Sequence, residues 1–91
     1  MNITHTRFIV APPDAQADGL FGWLSFIHSG SLRLGSVALR RSRSGKLDIT
    51  FPVEIDRDGR PHAIFAPTDH ESREAIRLAA IAAARAQGLD L

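Results

Sequence analysis

Hydrophobic and polar positions alternate most regularly between Lys46 and Ile55. Leu47, Ile49, Phe51, Val53 and Ile55 take one side, and Lys46, Asp48, Thr50, Pro52 and Glu54 take the other. A period of two held over that length predicts a strand with one buried face. Pro52 has no amide hydrogen to give a ladder, so this strand lies at an edge there or stops pairing there. Upstream, Ile3–Val10 is rich in β-branched and aromatic residues and runs into Ala11-Pro12-Pro13, which predicts a first strand and its end. The polar stretch 12–19 predicts a loop. Leu20 to His28 predicts a second strand, Ser29-Gly30-Ser31 a tight connection, and Leu32 to Arg41 a third strand. In that third strand Leu32 and Leu34 fall out of phase with Val37 and Leu39. A bulge at Gly35-Ser36 brings all four to one face. Asp58-Gly59 is a hairpin-turn signal, and a short fifth strand is predicted from about Pro61 to Ala66.

After Pro67 the period changes. Thr68 followed three residues on by Glu71 has the form of a capping box, and Gly88 is placed to stop a helix running from Asp69 to about Gln87. Ile76, Ala79, Ala80 and Ala83 share one helical face, with Leu78 and Ala82 beside it, and small alanines let such a face lie close on a sheet. The expected fold is α+β: an antiparallel β-meander of about five strands followed by one C-terminal α-helix, in one domain over residues 1–91. The second strand is apolar on both sides, with Leu20, Leu24 and Phe26 alternating with Phe21, Trp23 and Ile27. One helix covers one face of a sheet, so the surplus apolar surface predicts a homodimer.

Composition narrows the function classes. The chain has 91 residues, 44% of them hydrophobic and 23% charged, which are ordinary values for a globular domain. It contains no cysteine, so disulfides and thiolate chemistry are excluded. No apolar run approaches the roughly 20 residues of a membrane span. The opening Met1-Asn2-Ile3-Thr4-His5 lacks the basic-then-apolar pattern of a signal peptide, so a cytoplasmic protein without a membrane partner is expected. A net charge of +1 attracts nothing globally, but residues 33–46 hold Arg33, Arg40, Arg41, Arg43 and Lys46 with no acid among them. Local charge of that kind can hold an anion.

The order of these pieces resembles the SpoVG (stage V sporulation protein G, septation regulator) family. The matching residues are Ile3-Thr4-His5-Thr6-Arg7, the Gly-led strand Gly19 to Ile27, the aliphatic strand Leu32 to Leu39, Leu47 to Pro52, and Pro67 followed by Arg73 and Ile76. The resemblance spans roughly residues 3–80. It implies a dimeric β-meander plus helix that binds DNA or RNA and regulates gene expression, with no cofactor. The chain departs from the family pattern after its first strand-ending Pro, where Val53-Glu54-Ile55 stands in place of basic residues. It departs again at Ala66, where the family has His, and at Thr68-Asp69, where the family has Asn. Those departures leave a second reading, a protein–protein interaction module of the same fold that has lost its nucleic-acid contacts.

The candidate binding residues are Arg40, Arg41, Arg43 and Lys46 in the connection between the third and fourth strands, and Arg73 and Arg77 on the helix. Guanidinium forks suit phosphate oxygens, and a Ser- and Gly-containing loop can follow a backbone. The same residues also fit a solvated hairpin and a solvated helix face, with Glu74 three residues before Arg77 as an ion-pair partner. Arg57 and Arg60 stand beside Asp56 and Asp58, which largely neutralise them. Trp23 and Phe21 are conceivable stacking platforms, although an apolar pairing surface accounts for them as well. The histidines His5, His28, His62 and His70 show no metal-ligand spacing. No nucleophile–base pair and no phosphate loop is recognisable, so an enzyme is not expected.

Overall fold

The computed structural model describes residues 1–91, which form β1 (Ile3–Val10), α1 (Pro13–Ala17), β2 (Leu20–His28), β3 (Leu32–Arg41), β4 (Leu47–Thr50), β5 (Val53–Ile55), β6 (Pro61–Ala63) and α2 (His70–Ala86). The first four strands make one antiparallel sheet in the order β1-β2-β3-β4, and β5 and β6 form a separate hairpin. The architecture is α+β, with a strand meander closed by a C-terminal helix. The short α1 falls where a loop was expected. Pro13 opens it, a position where proline's missing amide costs nothing, and the Gln16 side chain donates to Ala11 O at 2.8 Å.

The bulge in β3 lies where the alternation demands it. Leu24 faces Val37 but Phe26 faces Leu34, which leaves Gly35 and Ser36 together opposite Ser25. Ser36 adopts a left-handed conformation with φ 60°. Val37 and Leu39 are thereby fully buried and Leu34 packs against the core, while Leu32 stays exposed near the start of the strand. A second bulge interrupts β1 between Thr4 and Arg7, where His5 has φ 51°. Both bulges flank Ser25-Phe26 on the central strand, and bulges increase local twist, so the sheet curls at that level. A third register shift, between Leu20 and Gly22, makes Phe21 an extra residue. Phe21 accordingly packs against the core and not on the side of Trp23 and Ile27, as strict alternation had placed it.

The long alternation from Leu47 does not form one strand. It breaks at Pro52, where the chain leaves the sheet and Pro52 O accepts the Ile64 amide at 2.9 Å. Leu47, Ile49 and Phe51 reach the core, and Phe51 meets Phe65 edge-on with ring centroids 5.7 Å apart. Val53 and Ile55, expected on the same buried face, are instead 52% and 59% exposed on the hairpin. The hairpin turn forms over Asp56–Arg60, as Asp58-Gly59 predicts. Asp56 Oδ1 accepts the amides of Asp58 and Arg60, both at 2.9 Å, and Oδ2 lies 2.6 Å from His62 Nε2. The bond to His62, with those amides, holds the Asp56 carboxyl below its usual range. The last strand ends at Ala63, short of the expected Ala66.

The N-cap of α2 is Asp69, not Thr68. Asp69 Oδ1 accepts the Ser72 amide at 2.7 Å, and the Thr68 hydroxyl donates to Asp69 Oδ2 at 3.3 Å. A carboxylate satisfies an unpaired helix amide and also suits the positive end of the helix dipole, so it displaces the hydroxyl. The buried residues of α2 are Ile76, Ala80, Ile81 and Ala84. The expected Ala79 and Ala83 also pack against the core, but the face extends toward Ile81 and Ala84, so that Leu78 and Ala82, expected beside it, face outward. Gly88 ends the helix at φ 92°, and the Leu89 amide returns to Ala84 O at 3.2 Å. Across from α2 the sheet offers Phe8, Leu24, Phe26, Val37, Leu39 and Ile49. Gly22 makes room in this layer, since a Cβ there would stand 2.5 Å from the Phe8 ring.

Candidate nucleic-acid interface

The helix arginines are engaged within the fold. β4 is an edge strand, and its outward carbonyls have no neighbouring strand to bond. Arg73 Nη2 donates to Ile49 O at 3.0 Å and to Asp48 Oδ1 at 2.9 Å. One turn further on, Arg77 Nη1 donates to Leu47 O at 3.1 Å. The rest of the Arg77 guanidinium grips Glu74 in a fork, Nε to Oε2 at 3.0 Å and Nη2 to Oε1 at 2.7 Å. Residues four apart on a helix thus reach carbonyls two apart on a strand and clasp the edge. The electrostatics follow this geometry. Burial raises the Asp48 carboxyl, but the Ile49 amide and Arg73 outweigh it and hold the group below its ordinary value. Glu74 is likewise lowered, chiefly by its hydrogen bond from Arg77, and Arg77 is raised by the same bond.

The β3–β4 connection is different. Arg40, Arg41, Arg43 and Lys46 are all exposed, and the chain's ion pairs, His62–Asp56, Arg73–Asp48 and Arg77–Glu74, include none of them. The loop itself is ordered by its own bonds. Ser42 N–H donates to Lys46 O at 2.8 Å, Gly45 N–H to Ser42 O at 2.9 Å, and Arg41 Nη1 to Gly45 O at 2.9 Å. The Arg41 guanidinium also lies 5.6 Å from the Phe21 ring centroid. Arg41 therefore shapes the tip while its charge stays unmatched by any acid. Arg40, Arg43 and Lys46 are free to reach outward.

The sheet has a second face that α2 does not cover. Cross-strand register places Ile9, Trp23, Ala38 and Thr50 in one row of it. Arg7 opposite Ser25, Arg33 opposite Ile27, and Arg40 opposite Leu20 fall on the same side. Arg7 and Arg33 are exposed and unpaired, and neither stands among the sequence-derived binding residues. Strand register is the signal that would have joined them to Arg40, and it became readable only once the bulges were placed. Trp23 is half-buried and borders a depression of about 230 Å³ with Ile9, Leu24, Ser25 and Ser36. A larger depression of about 310 Å³ lies between the end of the sheet and the start of α2, near Met1, His28, Leu34, Phe65 and Ile76. His28 Nδ1 is buried there without a partner. No three His, Asp or Glu side chains gather at one point in the chain, and no helix is long and apolar enough to cross a membrane.

No family model, curated protein or solved structure matches the chain.

Proposed function

We propose that the protein is a nucleic-acid-binding regulator, of the kind its resemblance to the SpoVG family implies, and that it holds DNA or RNA through Arg40, Arg41, Arg43 and Lys46. One observation carries this reading: these four cations stand exposed at one end of the sheet outside every ion pair, and only Lys46 is near enough to Asp48 and Glu74 to act on them, whereas the helix arginines are spent on the β4 edge. Arg73 and Arg77 support the interface by fixing β4, the strand that leaves the basic loop, and are not its phosphate contacts. A second copy of the chain belongs to the same proposal. The edge of β1 has no neighbouring strand and carries exposed Ile9 and Val10, so two copies pairing there would protect it.

The test is fluorescence anisotropy of labelled duplex DNA, single-stranded DNA and RNA at low salt and again near 200 mM. Contacts to phosphate predict affinity that falls steeply between the two conditions. Replacing Arg40, Arg41 and Arg43 together by Ala abolishes binding while circular dichroism shows an intact fold. Binding that survives the triple change rules out the loop. An interaction module is favoured by a different observation, the hairpin of β5 and β6 with Val53, Ile55 and Ile64 exposed. Failure to bind any nucleic acid at low salt would leave that reading standing.

A further inference from the structure

We infer that the ligand is single-stranded nucleic acid, laid across the uncovered face of the sheet with a base stacked on Trp23. The inference rests on the proposed function and extends it from the basic loop onto the sheet. Three observations converge. The first is charge. Arg7, Arg33 and Arg40 come from two different strands and share this face without an ion pair, and Arg40 joins the face to the basic loop. By register the acid on this side is Asp48, and Arg73 already occupies it. The face is therefore complementary to a polyanion. Its unpaired like charges also oppose packing against the same face of a second copy.

The second observation is the aromatic platform. Trp23 sits on the central strand, flanked by Ile9 and Ala38, with Arg7 and Arg40 diagonal to it on opposite sides. Bases present flat faces only when they are out of a duplex, and stacking of this kind tolerates any base. The third is shape. The depression beside the indole holds about 230 Å³, more than the ~150 Å³ cavity that accommodates a benzene ring. Ser25 and Ser36 are the polar residues that line it. Ser36 reaches that position because the β3 bulge holds it at φ 60°, a conformation that is costly for serine and that tends to persist where a site needs it. A duplex is a stiff cylinder with its bases enclosed, and it would meet the arginines but neither the ring nor the depression.

Trp23 is the chain's single tryptophan, so the platform reports on itself. The intact protein is titrated with oligo(dT), oligo(U) and a duplex of equal length at low salt, with indole emission and anisotropy read together. Both single strands are expected to quench Trp23 and to bind more tightly than the duplex, and their ratio tells DNA from RNA preference. Trp23→Leu should weaken single-strand binding by about tenfold or more, with Trp23→Phe restoring part of it. Arg7→Ala with Arg33→Ala, both at exposed positions that leave the core intact, should reduce the salt slope for single strands by about 1.4. Single-strand binding with unchanged indole emission, or with an unchanged slope in the double arginine variant, overturns the inference. So does duplex preference, which leaves the loop reading intact. An indole shift that follows protein concentration alone assigns the face to a second copy and overturns it too. Absence of all binding removes both this inference and the proposed function.

Discussion

The two faces of the four-stranded sheet contain the same kinds of residue and use them in opposite ways. On the covered face, aromatic and aliphatic side chains close against Ile76, Ala80, Ile81 and Ala84, while at the free edge of β4 the helix arginines are consumed by Asp48, Glu74 and the carbonyls of Leu47 and Ile49. On the uncovered face a tryptophan is only partly buried and three arginines have no partner. What separates a structural arginine from an available one here is the β4 edge. A free edge presents unpaired carbonyls, and a helix lying alongside can satisfy them only with long donors. The arginines that reach that edge, Arg73 and Arg77, are taken up there, and the charge elsewhere stays unpaired.

The strongest way to break the comparison is to cut into the covered face. Ile76 is 1% exposed at the centre of the helix contact, and Ile76→Ala should cost roughly 2–5 kcal/mol. For a domain this size each kcal/mol lowers Tm by about 4–8 °C, so the loss is large in a thermal melt. Trp23→Leu, on the other face, should cost less than Ile76→Ala in the same melt, because Trp23 already stands partly in water. Equal losses would mean that both faces are core, and the contrast between them would fall.

A smaller effect sharpens the distinction between the arginines. Arg77→Ala removes a carbonyl contact and a forked ion pair, and should cost roughly 1–2 kcal/mol in urea unfolding. Arg7→Ala should stay within about 0.5 kcal/mol. The order should reverse for nucleic-acid affinity at constant fold, where Arg7→Ala weakens binding and Arg77→Ala does not. If Arg77→Ala proves thermodynamically silent but impairs binding, the helix belongs to the interface after all.

Much of the fold was readable from residue order, and the limits of that reading have physical causes. The boundaries of β2 and β3, the bulge at Gly35-Ser36, the turn at Asp58-Gly59 and the stop at Gly88 all follow from local backbone chemistry, so they were visible. The fate of Val53 and Ile55 was not. Alternation states that two residues share a side, but it does not state that a neighbouring element is there to cover them. The role of Arg73 and Arg77 was hidden for a similar reason. Glu74 is a neighbour along the helix, whereas the Ile49 and Leu47 carbonyls are 24 and 30 residues away. The uncovered face needed three register shifts to be placed before Arg7, Arg33 and Arg40 could be put together.

The smallest expected effect lies in the pH dependence of stability, and it isolates the clasp at the β4 edge from the packing of the covered face. Glu74 and Asp48 ionise below their ordinary values of 4.5 and 3.8 in the folded chain, and so bind protons less readily than when unfolded. The stabilisation they give is complete above those ordinary values. It is lost as pH falls toward and through the lower folded values, because the unfolded chain then takes up more protons. Both carboxylates are partly exposed, so solvent screens the pairs and the loss is modest. The measurement is the urea midpoint followed from pH 6 down to pH 3. Arg77→Ala should flatten the contribution of Glu74, and Arg73→Ala that of Asp48, whereas Arg7→Ala should leave the acid limb unchanged because its guanidinium pairs with no carboxylate. An acid limb that Arg7→Ala alters as much as Arg77→Ala does would show that the two faces are coupled electrostatically. The free arginines would then be part of the fold's own charge balance and not a reserve for a ligand.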